Sequence, residues 1–173
     1  MIPATIIRRI ALLAEGELSQ LSDLLVAVVD DGASVGFLPP LSYDDTVAYW
    51  KSVCESEVIL LVAEQDGRIV GTAQLHLAPR ANACHRAEVA KVLVHPDCQR
   101  QGIGRVLMRD IEAVARATGR TLLVLDTREG DAANDFYRSL GYVEAGRIPR
   151  YARSANGTLD ATVLYFKELE DIR

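Results

Sequence analysis

Gln99-Arg100-Gln101-Gly102-Ile103-Gly104-Arg105 is the segment whose residue types and spacing point most directly to chemistry. It separates an apolar run from a long amphipathic stretch, so it opens a helix. The first amides of a helix have no partner within it and point outward. Together with the helix dipole they form an anion site. Gly102 and Gly104 lack Cβ atoms, which lets a pyrophosphate approach the backbone. Arg100 and Arg105 add charge beside it. Two other phosphate motifs fail here. A P-loop needs Gly-Lys-Ser/Thr after its second glycine, and Ile103-Gly104-Arg105 does not supply it. A dinucleotide fingerprint needs glycine or alanine where Leu107 stands.

The elements that must position this segment are legible around it. Thr5 to Ile10 reads as a first strand. Leu18, Leu21, Leu25, Val28 and Val29 follow helical spacing, with Gly32 at the C-cap. After a loop to Leu41, Ser42 caps a second helix running to about Ser56. Val58 to Ala63 is a buried strand, Asp66-Gly67 a hairpin turn, and Ile69 to Leu77 the returning strand. Arg86 to Val94 is the next strand. The apolar stripe Ile103, Val106, Leu107, Ile111, Val114 and Ala115 marks the best helix, closed by Gly119. Leu122 to Asp126 is a strand, Ala132 to Leu140 a short helix, and Tyr142 to Gly146 a strand. A loop from Arg147 to Gly157 precedes the last strand, Leu159 to Lys167. A helix between two strands implies a parallel pair, Arg86–Val94 beside Leu122–Asp126. The expectation is an α/β fold: a mixed sheet of about seven strands with helices on both faces.

Bulk properties narrow the function. The 173 residues fit one domain, residues 1–173, around one core. Apolar residues make up 49% and charged residues 25%, an ordinary globular balance. The net charge of -5, with no basic stripe, argues against a nucleic-acid partner. Three cysteines without CxxC spacing argue against a disulfide framework or a zinc site, and the histidines show no metal spacing. No apolar run is long enough to span a membrane, and no secretory signal is evident. A cytoplasmic location without membrane or metal follows as the expectation.

The Gln99–Arg105 segment resembles the QxxGxG signature of the GNAT superfamily, the GCN5-related N-acetyltransferases. Val92-Leu93-Val94-His95-Pro96 before it, and Phe136-Tyr137-Arg138-Ser139-Leu140-Gly141-Tyr142 after it, match the family's order and spacing. Gly32-Ala33-Ser34-Val35-Gly36-Phe37, Arg86-Ala87-Glu88-Val89, Leu125-Asp126-Thr127 and Tyr165-Phe166-Lys167 look like segments of the family's tabtoxin-resistance branch. Departures fall at Leu38-Pro39-Pro40 and around His85.

The resemblance implies acetyl-CoA as cosubstrate and direct transfer to an amine, with a small-molecule acceptor favoured over a peptide; the non-enzymatic alternative is a CoA-binding module, against which Tyr137 and the carboxylates are present. A toxin or antibiotic is among the acceptor classes it suggests, and many relatives pair into homodimers. It also implies that the two parallel strands splay apart. The pantetheine arm then lies between them along Leu93 and Val94, and its pyrophosphate meets Gln99, Arg100, Gln101, Gly102, Ile103, Gly104 and Arg105. Tyr137 aligns with the family's general acid. Glu88 stands about six residues before Val94, roughly 20 Å along a strand, comparable with an extended arm. It is one candidate base. Asp126 is the other, at the carboxyl end of its strand, where α/β sheets place ligand crevices. The bland alternatives are an inward helix face for Tyr137 and ion pairs with Lys91 or Arg128 for the carboxylates. Ser34, Val35, Gly36, Phe37 and Tyr151 are expected to shape the acceptor pocket.

Overall fold

The computed structural model describes residues 3–54 and 56–169. Seven strands form one sheet in the order β1-β2-β3-β4-β5-β7-β6. They are β1 (Ile6–Ile10), β2 (Ile59–Gln65), β3 (Arg68–Leu77), β4 (Arg86–Val94), β5 (Leu122–Arg128), β6 (Val143–Arg153) and β7 (Leu159–Glu168). The helices are α1 (Glu15–Asp30), α2 (Tyr43–Cys54), α3 (Ile103–Ala117) and α4 (Ala133–Ser139). The mixed sheet carries two apolar clusters. One gathers Leu21, Leu25 and Val29 of α1 and Trp50 of α2 against Leu60 and Val62 of β2. The other gathers Ile103, Leu107, Met108 and Ile111 of α3 against Leu61, Leu75, Val89 and Leu123. Among the described residues no helix is long and apolar enough to cross a membrane.

Local chemistry explains the boundaries. Ser42 Oγ accepts from the Asp45 amide at 3.1 Å, capping α2. Asp66 and Gly67 both take positive φ, 49° and 75°, as a two-residue hairpin turn requires. Trp50 has no exposed surface, and its Nε1 donates to Leu21 O at 2.9 Å, which locks α2 onto α1.

Among the described residues the one parallel pairing is β4 with β5, and it is brief. Only Arg86, Ala87 and Glu88 pair, with Leu122, Leu123 and Val124. Beyond Glu88 the two strands part. On its other edge β4 stays paired with β3, but the register shifts between Thr72 and Gln74. The extra residue lies at Lys91, whose φ is 48°. The wholly buried Thr72 hydroxyl donates to Lys91 O at 2.8 Å and holds the bulge in place.

One expectation fails. Arg147 to Arg153 belongs to β6 and is not loop. Nearly all of β6 is exposed, and its pairing with β7 breaks between Ile148 and Ala152, where Arg150 takes φ 53°. An edge strand with no buried face shows no alternation, so its pattern reads as loop.

Gly71 sets the seat of α3. A Cβ there would stand 2.8 Å from Leu93 O, 3.1 Å from Leu107 Cδ1 and 3.3 Å from Ile103 Cγ2. Backbone cannot yield as a flexible side chain does. Gly71→Ala is expected to lower unfolding stability by about 2 kcal/mol, read by chemical denaturation.

Candidate active site

β4 and β5 alternate so that Ala87, Val89, Leu123 and Leu125 enter the core while Glu88, Val124 and Asp126 share the opposite face. A cavity of about 340 Å³ opens on that face where the strands separate. Glu88, Lys91 and Val92 line it from β4, Asp126 and Arg128 from β5, and Tyr137 from α4. Ser34, Val35 and Gly36 of the loop between α1 and α2 form one wall, and Tyr151 of β6 and Thr162 of β7 another. The cleft thus brings together Tyr137, Glu88, Asp126, Ser34, Val35, Gly36 and Tyr151. Phe37 falls outside it. Its ring meets Tyr49 edge-on at 5.1 Å and lines an adjoining cavity of about 240 Å³.

Tyr137 is 8% exposed. Burial, reinforced by the charge of Asp126, pushes its pKa up to about 12. Among the described residues its hydroxyl has no hydrogen-bond partner, it lines the cleft, and its raised pKa keeps it protonated at neutral pH. Three further contacts hold it there. Asn134, one helical turn earlier, donates to Arg128 O at 2.9 Å and Asp131 O at 2.8 Å and accepts from Tyr165 OH at 2.9 Å. Lys167 Nζ donates to Leu140 O and to both Glu112 oxygens, tying the end of α4 to α3 and β7. Tyr142 N donates to Tyr137 O at 3.1 Å.

Asp126 accepts from Thr162 Oγ1 at 2.6 Å. Arg128 does not pair with either candidate base, contrary to the bland alternative. It donates to Asp131 Oδ1 at 2.9 Å, Ser154 Oγ at 3.0 Å and Gly32 O at 3.3 Å. Three segments of the cleft wall therefore meet on one guanidinium. Sequence reasoning missed this clamp, because its partners lie 3, 26 and 96 residues away. It also missed Thr162 as a partner of Asp126.

The Gln99–Arg105 segment lies outside the cleft, at the start of α3. Arg100 has φ 60° and Gly102 φ 83°, two left-handed residues on either side of Gln101, an alternation that can gather amides into an anion-binding concavity. The amides of Arg105 and Val106 both bond Gly102 O, so those of Ile103 and Gly104 precede the first closed turn. The roles of the two glycines separate. Gly102 faces open space and is required by its φ. At Gly104 a Cβ would stand 3.3 Å from Phe136, so this glycine admits the α4 ring rather than only a ligand. The Leu93 and Ile103 side chains are core, leaving backbone as their contribution to any ligand. Arg105 Nη2 bonds Ser139 Oγ at 2.9 Å, and Gln101 Nε2 bonds Asp97 O at 3.4 Å. Gln99 and Arg100 are exposed, and Val94 is half-buried.

A GNAT acetyltransferase domain model matches residues 56–144. An uncharacterised N-acetyltransferase from the hisH–hisA intergenic region of Azospirillum brasilense is 36% identical, over 71% of this chain and 75% of its own. An aminoglycoside N(6')-acetyltransferase type 1 of Klebsiella aerogenes is 29% identical over 56% of this chain and 66% of its own. An L-amino acid N-acyltransferase of Escherichia coli is 25% identical over 70% of this chain and 71% of its own. An N-acetyltransferase structure from Staphylococcus aureus Mu50 superposes with a TM-score of 0.81 at 16% identity, over 96% of this chain and 99% of that one. A Salmonella typhimurium protein solved with its cofactor acetyl-CoA superposes at 0.78 and 20% identity, over 97% and 95%. The chain belongs to the GNAT acetyltransferase family, as its sequence signature implies.

The Arg128 clamp makes a separable prediction. Arg128→Met is expected to raise the acceptor KM about tenfold while the acetyl-CoA KM changes less than twofold, in steady-state kinetics with each substrate varied.

Proposed function

We propose that this acetyl-CoA-dependent N-acetyltransferase acetylates a primary amine of a small molecule by direct transfer within a ternary complex. The observation that carries the reading is the walled cleft, in which Tyr137, Glu88 and Asp126 face one space at the opening of the β4–β5 pair. The Ser34–Gly36 loop and Tyr151 close it on two sides. A peptide acceptor needs an open groove, so the closed walls favour a compact molecule. The named relatives that act on an aminoglycoside and on L-amino acids agree with that size class. A toxin or antibiotic bearing a primary amine falls within it.

Each residue group then has a distinct task. The amides of Ile103 and Gly104, with Gly102, Gln99, Arg100, Gln101 and Arg105, hold the pyrophosphate. Backbone of β4 from Val92 to Val94 pairs with the pantetheine arm along the edge that β5 leaves bare. An amide of the bulge donates to the thioester oxygen as charge builds there. Glu88 or Asp126, directly or through water, takes a proton from the acceptor ammonium, which near neutral pH is otherwise protonated. Tyr137 hydrogen-bonds the departing sulfur. At about 12, its pKa lies well above that of an ordinary thiol, so it stabilises the growing thiolate as a donor before it surrenders a proton.

Thiol release from acetyl-CoA across small amines and short peptides tests the reading. Turnover with small amines is expected, and turnover with peptides alone contradicts it. Tyr137→Phe is expected to lower kcat about 100-fold with acetyl-CoA affinity unchanged, and equal activity removes Tyr137 from the mechanism. Since Tyr137 keeps its proton until about pH 12, it contributes no falling alkaline limb to the rate below about pH 10.

A further inference from the structure

The charged residues lining the cleft divide into two sets. Arg128 and Asp131 satisfy each other. Asp160 takes hydrogen bonds from Ser154 and Thr158. Glu88, Asp126 and Lys91 form the second set, and among the described residues only Thr162 hydrogen-bonds any of their side chains. Lys91 is the unusual member. It sits half-buried at the bulge, where a left-handed φ turns it away from the strand's regular alternation. Its ammonium lies 5.9 Å from the Tyr49 ring centroid, and a Cβ on Gly36 would meet it at 3.7 Å. It therefore reaches from the sheet to the acceptor-side loop. Among the described residues it donates no hydrogen bond and closes no ion pair.

An ammonium has three donors, and confinement in a cleft costs it hydration unless acceptors replace the water. Burial lowers the Lys91 pKa, and the charges of Asp126 and Glu88 oppose that shift. Neither carboxylate is close enough to complete its coordination. A carboxylate on the acceptor can replace the water around it, and the best complement to an ammonium is an anion. A molecule with one amine toward Glu88 and Asp126 and a carboxylate toward Lys91 fits all three groups at once.

Resting on the small-amine reading above, we infer that Lys91 is a specificity-determining residue that binds a carboxylate on the acceptor, so that the acceptor class is amino-acid-like. The carboxylate meets the ammonium on its cleft-facing side, opposite the Tyr49 ring and the Gly36 loop that cover it. The amine projects past it toward the carboxylates and the parted strands. No bond is made or broken at Lys91, and its part is to orient the acceptor.

Matched acceptors test this: free L-amino acids, their carboxamides and an aminoglycoside, each with acetyl-CoA. The wild-type protein is expected to prefer the free acids in kcat/KM by roughly 30-fold, through the acceptor KM. In Lys91→Met that ratio falls to within about threefold of one, while Lys91→Arg preserves it. The ratio is the readout, so a general loss of activity does not imitate the result. Equal use of acid and carboxamide by the wild-type protein, a preference that survives Lys91→Met, or an aminoglycoside favoured over both overturns the inference and leaves the small-amine reading standing. Turnover of peptides with no small amine accepted overturns both.

Discussion

The parting of β4 from β5 is the constraint on which the structure depends. Two parallel neighbours share three residue pairs and then diverge, leaving β4 from Val89 to Val94 bonded on its β3 edge alone. Backbone polar groups inside a sheet need partners, and an extended ligand with amide groups can supply them as an added strand. The divergence also creates the cleft. The bulge at Lys91, fixed by Thr72, lies in the stretch of β4 that β5 leaves bare, so the opening, the bulge and the Lys91 side chain fall together.

Helix α3 converts that opening into a two-ended site. Its buried stripe anchors on Gly71 and the β3–β4 surface, which fixes where its first amides point. Those amides answer negative charge at one end of the cleft face. At the other end Tyr137 is held by the tie from Lys167 to Leu140 and by Asn134, whose amide and carbonyl are both engaged. The rigid scaffold carries the ends, while the walls proposed to hold the acceptor come from a loop and an edge hairpin joined through Arg128. Acceptor choice can thus vary without disturbing the transfer machinery.

Sequence legibility followed burial. α3 and β4 were readable because periodicity records a buried face, and Gly102 because only glycine suits an open left-handed start of a helix. Tyr137, Glu88 and Asp126 entered through the family resemblance, and the fold brings all three to one cleft. The extent of β6 was not readable, since an exposed edge strand lacks alternation. Arg128 and Thr162 act through contacts set by the fold of the β6–β7 hairpin, which no local spacing encodes. In the sequence Lys91 is legible only as an ion-pair partner for the carboxylates. The bulge that makes it distinctive depends on Thr72, 19 residues earlier.

Backbone amide hydrogen exchange with and without acetyl-CoA tests the central claim most directly. The account predicts slower exchange at residues 92–94 and 102–105 on addition of acetyl-CoA, with the loop 32–37 responding only when an amine acceptor analogue is added as well. Protection confined to other elements, or none along β4 and the start of α3, would contradict a cosubstrate held in the opening between β4 and β5.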